Sequence, residues 1–112
     1  MFKNFTFIFK FYLMQQRTIE IVVKQIGITM LLYRLRCGFS QFKLGIEVQM
    51  STNQIGRIER GETNPTVRSL NKIAHALEIE ISEFFVERTD EDLNRMHDEI
   101  KILQEESEKE EG

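Results

Sequence analysis

The chain has 112 residues, a formal net charge of −3, 41% hydrophobic residues and a single cysteine, enough for one small domain with a tail. The lone Cys37 excludes an internal disulfide and fits a reducing, cytoplasmic setting. His75 and His97 stand apart without metal-ligand spacing, so no metal or other cofactor is expected, and no run reaches the ~18–20 apolar residues of a membrane span. Charge is unevenly spread: residues 90–112 hold ten acidic and three basic residues, residues 1–89 twelve basic and eight acidic, so a body of +4 carries a tail of −7. The net charge therefore does not exclude an anionic partner for the body.

Residues 1–24 read as an N-terminal extension, either artefactual or poorly ordered. Its first stretch, MFKNFTFIFKFYLM, holds five of the nine phenylalanines. A signal peptide would need a small-residue cleavage site, which does not follow. A strand over Phe5–Phe11 has no visible partner. A third reading, favoured here, places the true start at Met14 or Met30. If exposed, the segment is an apolar patch that needs a partner or a surface.

From Gln15 the pattern is helical, with Ile19, Val22, Val23, Ile26, Met30 and Tyr33 at threes and fours. This first helix is expected to start between Thr18 and Gln25 and to end near Arg36, with Gly38 as its C-terminal stop. Ser40 caps a second helix over Gln41–Val48, in which Leu44 and Val48 face the core and Gly45 marks a close approach of two helices. Gln49 and Met50 form a tight turn. Ser51 caps a third helix and pairs with Gln54 in a capping box. Ile55 and Ile58 pack inward, leaving Thr52, Asn53, Arg57 and Arg60 outward. Asn and Gln can bond adenine edges, Arg can fork onto guanine, and Thr can meet a thymine methyl. A polar helix face is ordinarily only a solvated face, and capping alone could account for Gln54. The weight rests on the complete pattern of apolar, glycine and cap positions.

The segment Ser40–Gly61, followed by GETNPT and LNKIAHAL, resembles the helix-turn-helix of the Cro and lambda-repressor family, also called the XRE family. The likeness runs from Ile26 to Phe85. It implies an all-α, five-helix lambda-repressor-like domain over residues 25–88 with the third helix in the major groove of double-stranded DNA. Under it, Thr52, Asn53, Gln54 and Arg57 would read bases, while Gln41, Ser51, Arg60 and Asn64 would meet phosphates. Arg34 and Glu59 match a partly buried ion pair of the family. A sequence-specific transcriptional regulator of repressor type, acting as a homodimer, is the function implied. Gln49 departs from the pattern, because the family often has glycine there, and a left-handed non-glycine residue costs roughly 1 kcal/mol.

Gly61–Pro65 is a loop. Thr66 caps a fourth helix with Val67, Leu70, Ile73, Ala74 and Leu77 on its apolar face. Ser82 is expected to cap a short fifth helix that buries Phe84 and Phe85. Residues 89–112 form an additional acidic helical tail, starting at Thr89 or Asp90, with Leu93, Met96, Ile100 and Leu103 as a two-heptad seam. That seam fits either a short dimerising helix or one packed back on its own domain. QEESEKEEG beyond it reads as frayed. No catalytic constellation is visible, so an enzyme is not expected. The alternative is an antitoxin-like interaction module that binds a protein partner through its N-terminal segment or tail and uses DNA binding for autoregulation.

Overall fold

The computed structural model describes residues 3–111, and the side chains within that range except those of residues 3–4, 13–18 and 111. The order of elements is α1 (Lys3–Arg36), α2 (Gln41–Val48), α3 (Thr52–Glu59), α4 (Val67–Leu77), a 3₁₀ turn (Ile81–Phe85) and α5 (Asp90–Glu111). The described residues form only helices, turns and loops.

One core joins the first five elements. Ile26 and Met30 of α1 meet Leu44 and Val48 of α2, Ile55 and Ile58 of α3, Leu70, Ile73, Ala74 and Leu77 of α4, and Phe84 of the 3₁₀ turn. Each fully buried aliphatic or aromatic side chain contributes about 1.5–3 kcal/mol by leaving water. Val67, placed by its spacing on the apolar face of α4, is instead exposed. It is the first residue of α4. Phe85 is exposed too, while Phe84 is buried. At three residues per turn, consecutive residues of a 3₁₀ helix point about 120° apart, so only one of the pair reaches the core. Ser82 lies inside this turn, whose N-cap is Glu80 without a side-chain bond. The turn is pinned from the side: Tyr33 Oη donates to Glu83 Oε1 at 3.1 Å and Arg88 Nη2 donates to the same oxygen at 2.9 Å. The Arg88 contact holds the Glu83 carboxyl below its ordinary range, against partial burial and with help from Tyr33.

Two expectations about the ends are corrected. The first helix does not begin between Thr18 and Gln25; it begins at Lys3 and runs for 34 residues. The β-branched run Ile19–Val23 costs only a few tenths of a kcal/mol per residue in a helix. With no proline or glycine before Gly27 to break it, the backbone satisfies its own hydrogen bonds locally, which a strand without a partner could not do. In this arm Phe5, Phe7, Ile8, Phe9, Phe11 and Tyr12 are all exposed. At the other end, the segment after Leu103 is helical through Glu111, with Gly112 outside the described residues.

The tail seam packs back on its own chain. Met96 and Ile100 bury against Leu32 of α1, with Leu93, Leu103, Ile28, Leu31 and Leu35 around them. Arg36 forks onto Glu99 through Nε at 2.6 Å and Nη2 at 2.8 Å. That hydrogen-bonded guanidinium pulls the Glu99 carboxyl below its ordinary value. Thr89 and Asp92 exchange a reciprocal cap at 3.0 Å each way, which starts α5.

Four helix ends close in the same way, with a left-handed residue after the last turn: Gly38, Gln49, Gly61 and Glu78. After α2, Met50 N–H donates to Gly45 C=O at 2.9 Å while Gln49 sits at φ 59° and ψ 45°. The departure from glycine therefore leaves the turn closed but strained. Gln49→Gly is expected to stabilise the protein by up to about 1 kcal/mol, the left-handed cost of roughly 1–2 kcal/mol less the chain entropy that glycine adds. Thermal unfolding of the two proteins measures it; an unchanged or lower melting temperature would show the turn to be unstrained.

Candidate nucleic-acid interface

The outward surface is built on α2 and α3, two short helices set by their caps. Ser40 Oγ accepts from Lys43 N–H at 3.0 Å. Ser51 Oγ accepts from Gln54 N–H at 3.1 Å, and Gln54 Oε1 accepts from Ser51 N–H at 2.8 Å. In helices of only eight residues the four unpaired N–H groups of the first turn are half of the backbone donors, and each serine cap satisfies one of them. The turn between them is tight enough that a Cβ on Gly45 would lie 2.4 Å from Met50 O. The close approach at Gly45 is thus to the backbone of the following turn and not, as expected, between two helices.

Beneath this surface lies the ion pair. Arg34 Nε meets Glu59 Oε2 at 2.6 Å, with side chains 8% and 3% exposed. Arg34 Nη2 donates to Glu59 Oε1 at 3.1 Å and Nη1 donates to Phe39 O at 2.6 Å. The guanidinium thus ties the end of α3 to both α1 and the α1–α2 connection. Gln41 joins the network, donating from Nε2 to Glu59 Oε1 at 2.9 Å. Nothing in the sequence signals that link, because a glutamine in the first turn of α2 gives no sign of a partner 18 residues on.

The remaining site candidates fall into distinct settings. Thr52, Asn53 and Arg57 are exposed on α3 and make no hydrogen bond or ion pair with any described side chain. Gln54 is exposed, with its carbonyl oxygen committed to the cap. Ser51 has both its hydroxyl and its N–H in that cap. Asn64 is exposed in the loop and shares a shallow cleft with Gln54 and Arg57, floored by Met50 and Ile58. Arg60 is not free: its Nε and Nη2 fork onto Glu62 at 2.8 and 3.2 Å. This bond is the main reason that the exposed Glu62 carboxyl titrates below its ordinary value. Its signal in the sequence was the opposite charge two residues away across Gly61, whose left-handed φ of 69° folds the loop back.

The surface therefore presents a capped helix N-terminus, three uncommitted polar side chains on one short helix and a flanking loop with an arginine and an asparagine. This is the constellation of a helix-turn-helix. Residues 31–84 match the model of a family described as helix-turn-helix. A protein described as an HTH-type transcriptional regulator, SlrR of Bacillus subtilis (strain 168), is 43% identical over 61 residues, a match spanning 54% of this chain and 40% of that relative. The chain thus matches less than half of the relative's length. In this segment the chain is similar to the XRE-type helix-turn-helix family, and its fold is consistent with the lambda-repressor-like arrangement with an added C-terminal helix. Among the described residues no helix is long and apolar enough to cross a membrane.

Proposed function

We propose that this protein is a sequence-specific, double-stranded DNA-binding transcriptional regulator of repressor type that reads the major groove with α3. The observation that carries the proposal is the state of the α3 surface. Thr52, Asn53 and Arg57 are solvent-facing and uncommitted, while the residues that hold α3 in place are buried or capped. Base readout requires side chains with unspent hydrogen-bonding capacity on a rigid element. Thr52, Asn53, Gln54 and Arg57 are assigned to bases. The N-terminal N–H groups of α2 at Gln41, with Ser51, Arg60 and Asn64, are assigned to phosphates, where a helix N-terminus favours an anion. Two copies related by a two-fold axis would present two α3 helices about 34 Å apart, which calls for a palindromic operator. A protein of this kind works in the cytoplasm.

Selection of bound duplexes from a random pool tests the proposal, because specificity, half-site symmetry and spacing emerge together. Failure to enrich any sequence would refute specific readout. On the selected site, Arg57→Ala is expected to cost about 1–3 kcal/mol and to relax preference at one base position. Gel-shift titrations against the cognate and a scrambled duplex distinguish the outcomes. An equal loss on both would make Arg57 a phosphate contact. Affinity should also fall steeply with added salt, since phosphate contacts release counterions.

A second reading takes support from the exposed Phe5, Phe7, Ile8, Phe9, Phe11 and Tyr12. On that reading the chain is an antitoxin-like interaction module that binds DNA for autoregulation. Co-purification of a second protein that is lost when residues 1–24 are removed would favour it.

A further inference from the structure

Gly56 lies buried in the interior of α3. A glycine inside a helix costs about 1 kcal/mol relative to alanine, so its presence wants a reason. Its backbone is ordinary, since it is absent from the left-handed positions. Close backbone packing is not the reason either. At Gly27 and Gly45 the nearest atoms to an added Cβ are backbone carbonyls, but at Gly56 they are the tips of two side chains. Arg60 Nη1 lies 2.8 Å from that Cβ position, Gln41 Nε2 3.4 Å and Gln41 Oε1 3.6 Å. Each tip is steered from its far side. Glu62 takes Nε and Nη2 of Arg60 and leaves Nη1, while Glu59 takes Nε2 of Gln41.

We infer that Gly56 is a positioning residue for the DNA backbone: its missing side chain lets the Arg60 guanidinium lie across α3 beside Gln41, forming one phosphate-gripping unit at the α2–α3 seam. The inference rests on the DNA-binding reading above. Glu62 is the buttress that presets Arg60, and Nη1 is the nitrogen left to meet a phosphate oxygen. A methyl group at position 56 displaces a flexible arginine tip, which the fold tolerates, and moves the guanidinium away from Gln41. Stability and affinity then change in opposite directions.

The test uses the full chain, a duplex recovered by the wild-type protein from a random pool, and a scrambled duplex. Fluorescence anisotropy over a range of salt concentrations and thermal melts are recorded for Gly56→Ala, Arg60→Ala and the double variant. Gly56→Ala should melt higher yet bind several-fold more weakly on both duplexes. Its slope of log affinity against log salt should be shallower by about one, the signature of one lost phosphate contact. In the Arg60→Ala background the same substitution should cost no further affinity. An unchanged affinity and slope would overturn the inference, as would a loss that persists without Arg60, because the methyl group would then act on the DNA or on α3 itself. A lower melting temperature would overturn its premise that the fold does not need this glycine. A wild-type protein that binds no duplex would instead sink the DNA-binding reading and this inference with it.

Discussion

Glu59→Ala is expected to destabilise the protein by about 3–5 kcal/mol, the cost of leaving a buried charge without its partner. Arg34 remains in the interior with its side chain 8% exposed and keeps only its bond to Phe39 O at 2.6 Å. Two of its hydrogen bonds vanish, together with the acceptor of Gln41. Urea unfolding at neutral pH measures the effect, and a loss under about 1 kcal/mol would place the pair in the class of exposed ion pairs of small worth. The ion pair itself need not be strongly stabilising, because taking both charges out of water offsets most of their attraction. Replacing both partners by apolar residues of similar volume, as in Arg34→Met with Glu59→Leu, should therefore recover much of the lost stability. DNA affinity should not recover with it, since the carboxamide of Gln41 would stay unheld. That split between stability and binding separates an ion pair that sets geometry from one that merely adds energy.

Sequence patterns made the central domain legible because its signals are local. Ser40, Ser51 and Thr66 each precede an apolar run, and each accepts the backbone N–H three residues on. The apolar spacing of Leu44, Val48, Ile55, Ile58, Leu70, Ile73 and Leu77 placed the core, which buries all seven. What local patterns could not decide was anything that depends on a distant partner. The seam of Leu93, Met96, Ile100 and Leu103 suits a second copy as well as its own α1, and only the position of Leu32 and of the Arg36 guanidinium settles the packing in this chain. The same holds at the interface. Capping of Gln54 was readable at three residues' distance, whereas the commitment of Gln41 to Glu59 was not. At the N-terminal end, neighbouring phenylalanines and lysines carry no clear period, and the helix follows there from uninterrupted backbone bonding rather than from a buried face. Val67 and Phe85 fit the apolar pattern but end exposed: Val67 is the first residue of α4, and Phe85 points about 120° away from the buried Phe84 in a 3₁₀ turn.

Gly27→Ala is expected to destabilise the protein by an amount at the upper end of the roughly 1–3 kcal/mol typical of overpacking. A glycine in mid-helix would ordinarily invite the opposite result, since alanine is the better helix former by about 1 kcal/mol. Here the new Cβ would lie 2.5 Å from both Ile58 O and Glu59 O and 2.9 Å from Glu59 C. These are backbone atoms at the end of α3, and they cannot swing aside as the tip of Arg60 can at Gly56. Either α1 moves away, opening the core around Ile26 and Met30, or the last turn of α3 moves and carries Glu59 off Arg34. Both routes penalise the same network, so the loss should be partly shared with Glu59→Ala: the double variant should be less destabilised than the sum of the two single variants. Urea unfolding of the three proteins provides the numbers. Simple additivity would mean that the glycine and the ion pair hold α1 and α3 together independently. A Gly27→Ala protein as stable as the parent would mean that the two helices separate at little cost, and that the orientation of α3 is set by the α2–α3 turn alone.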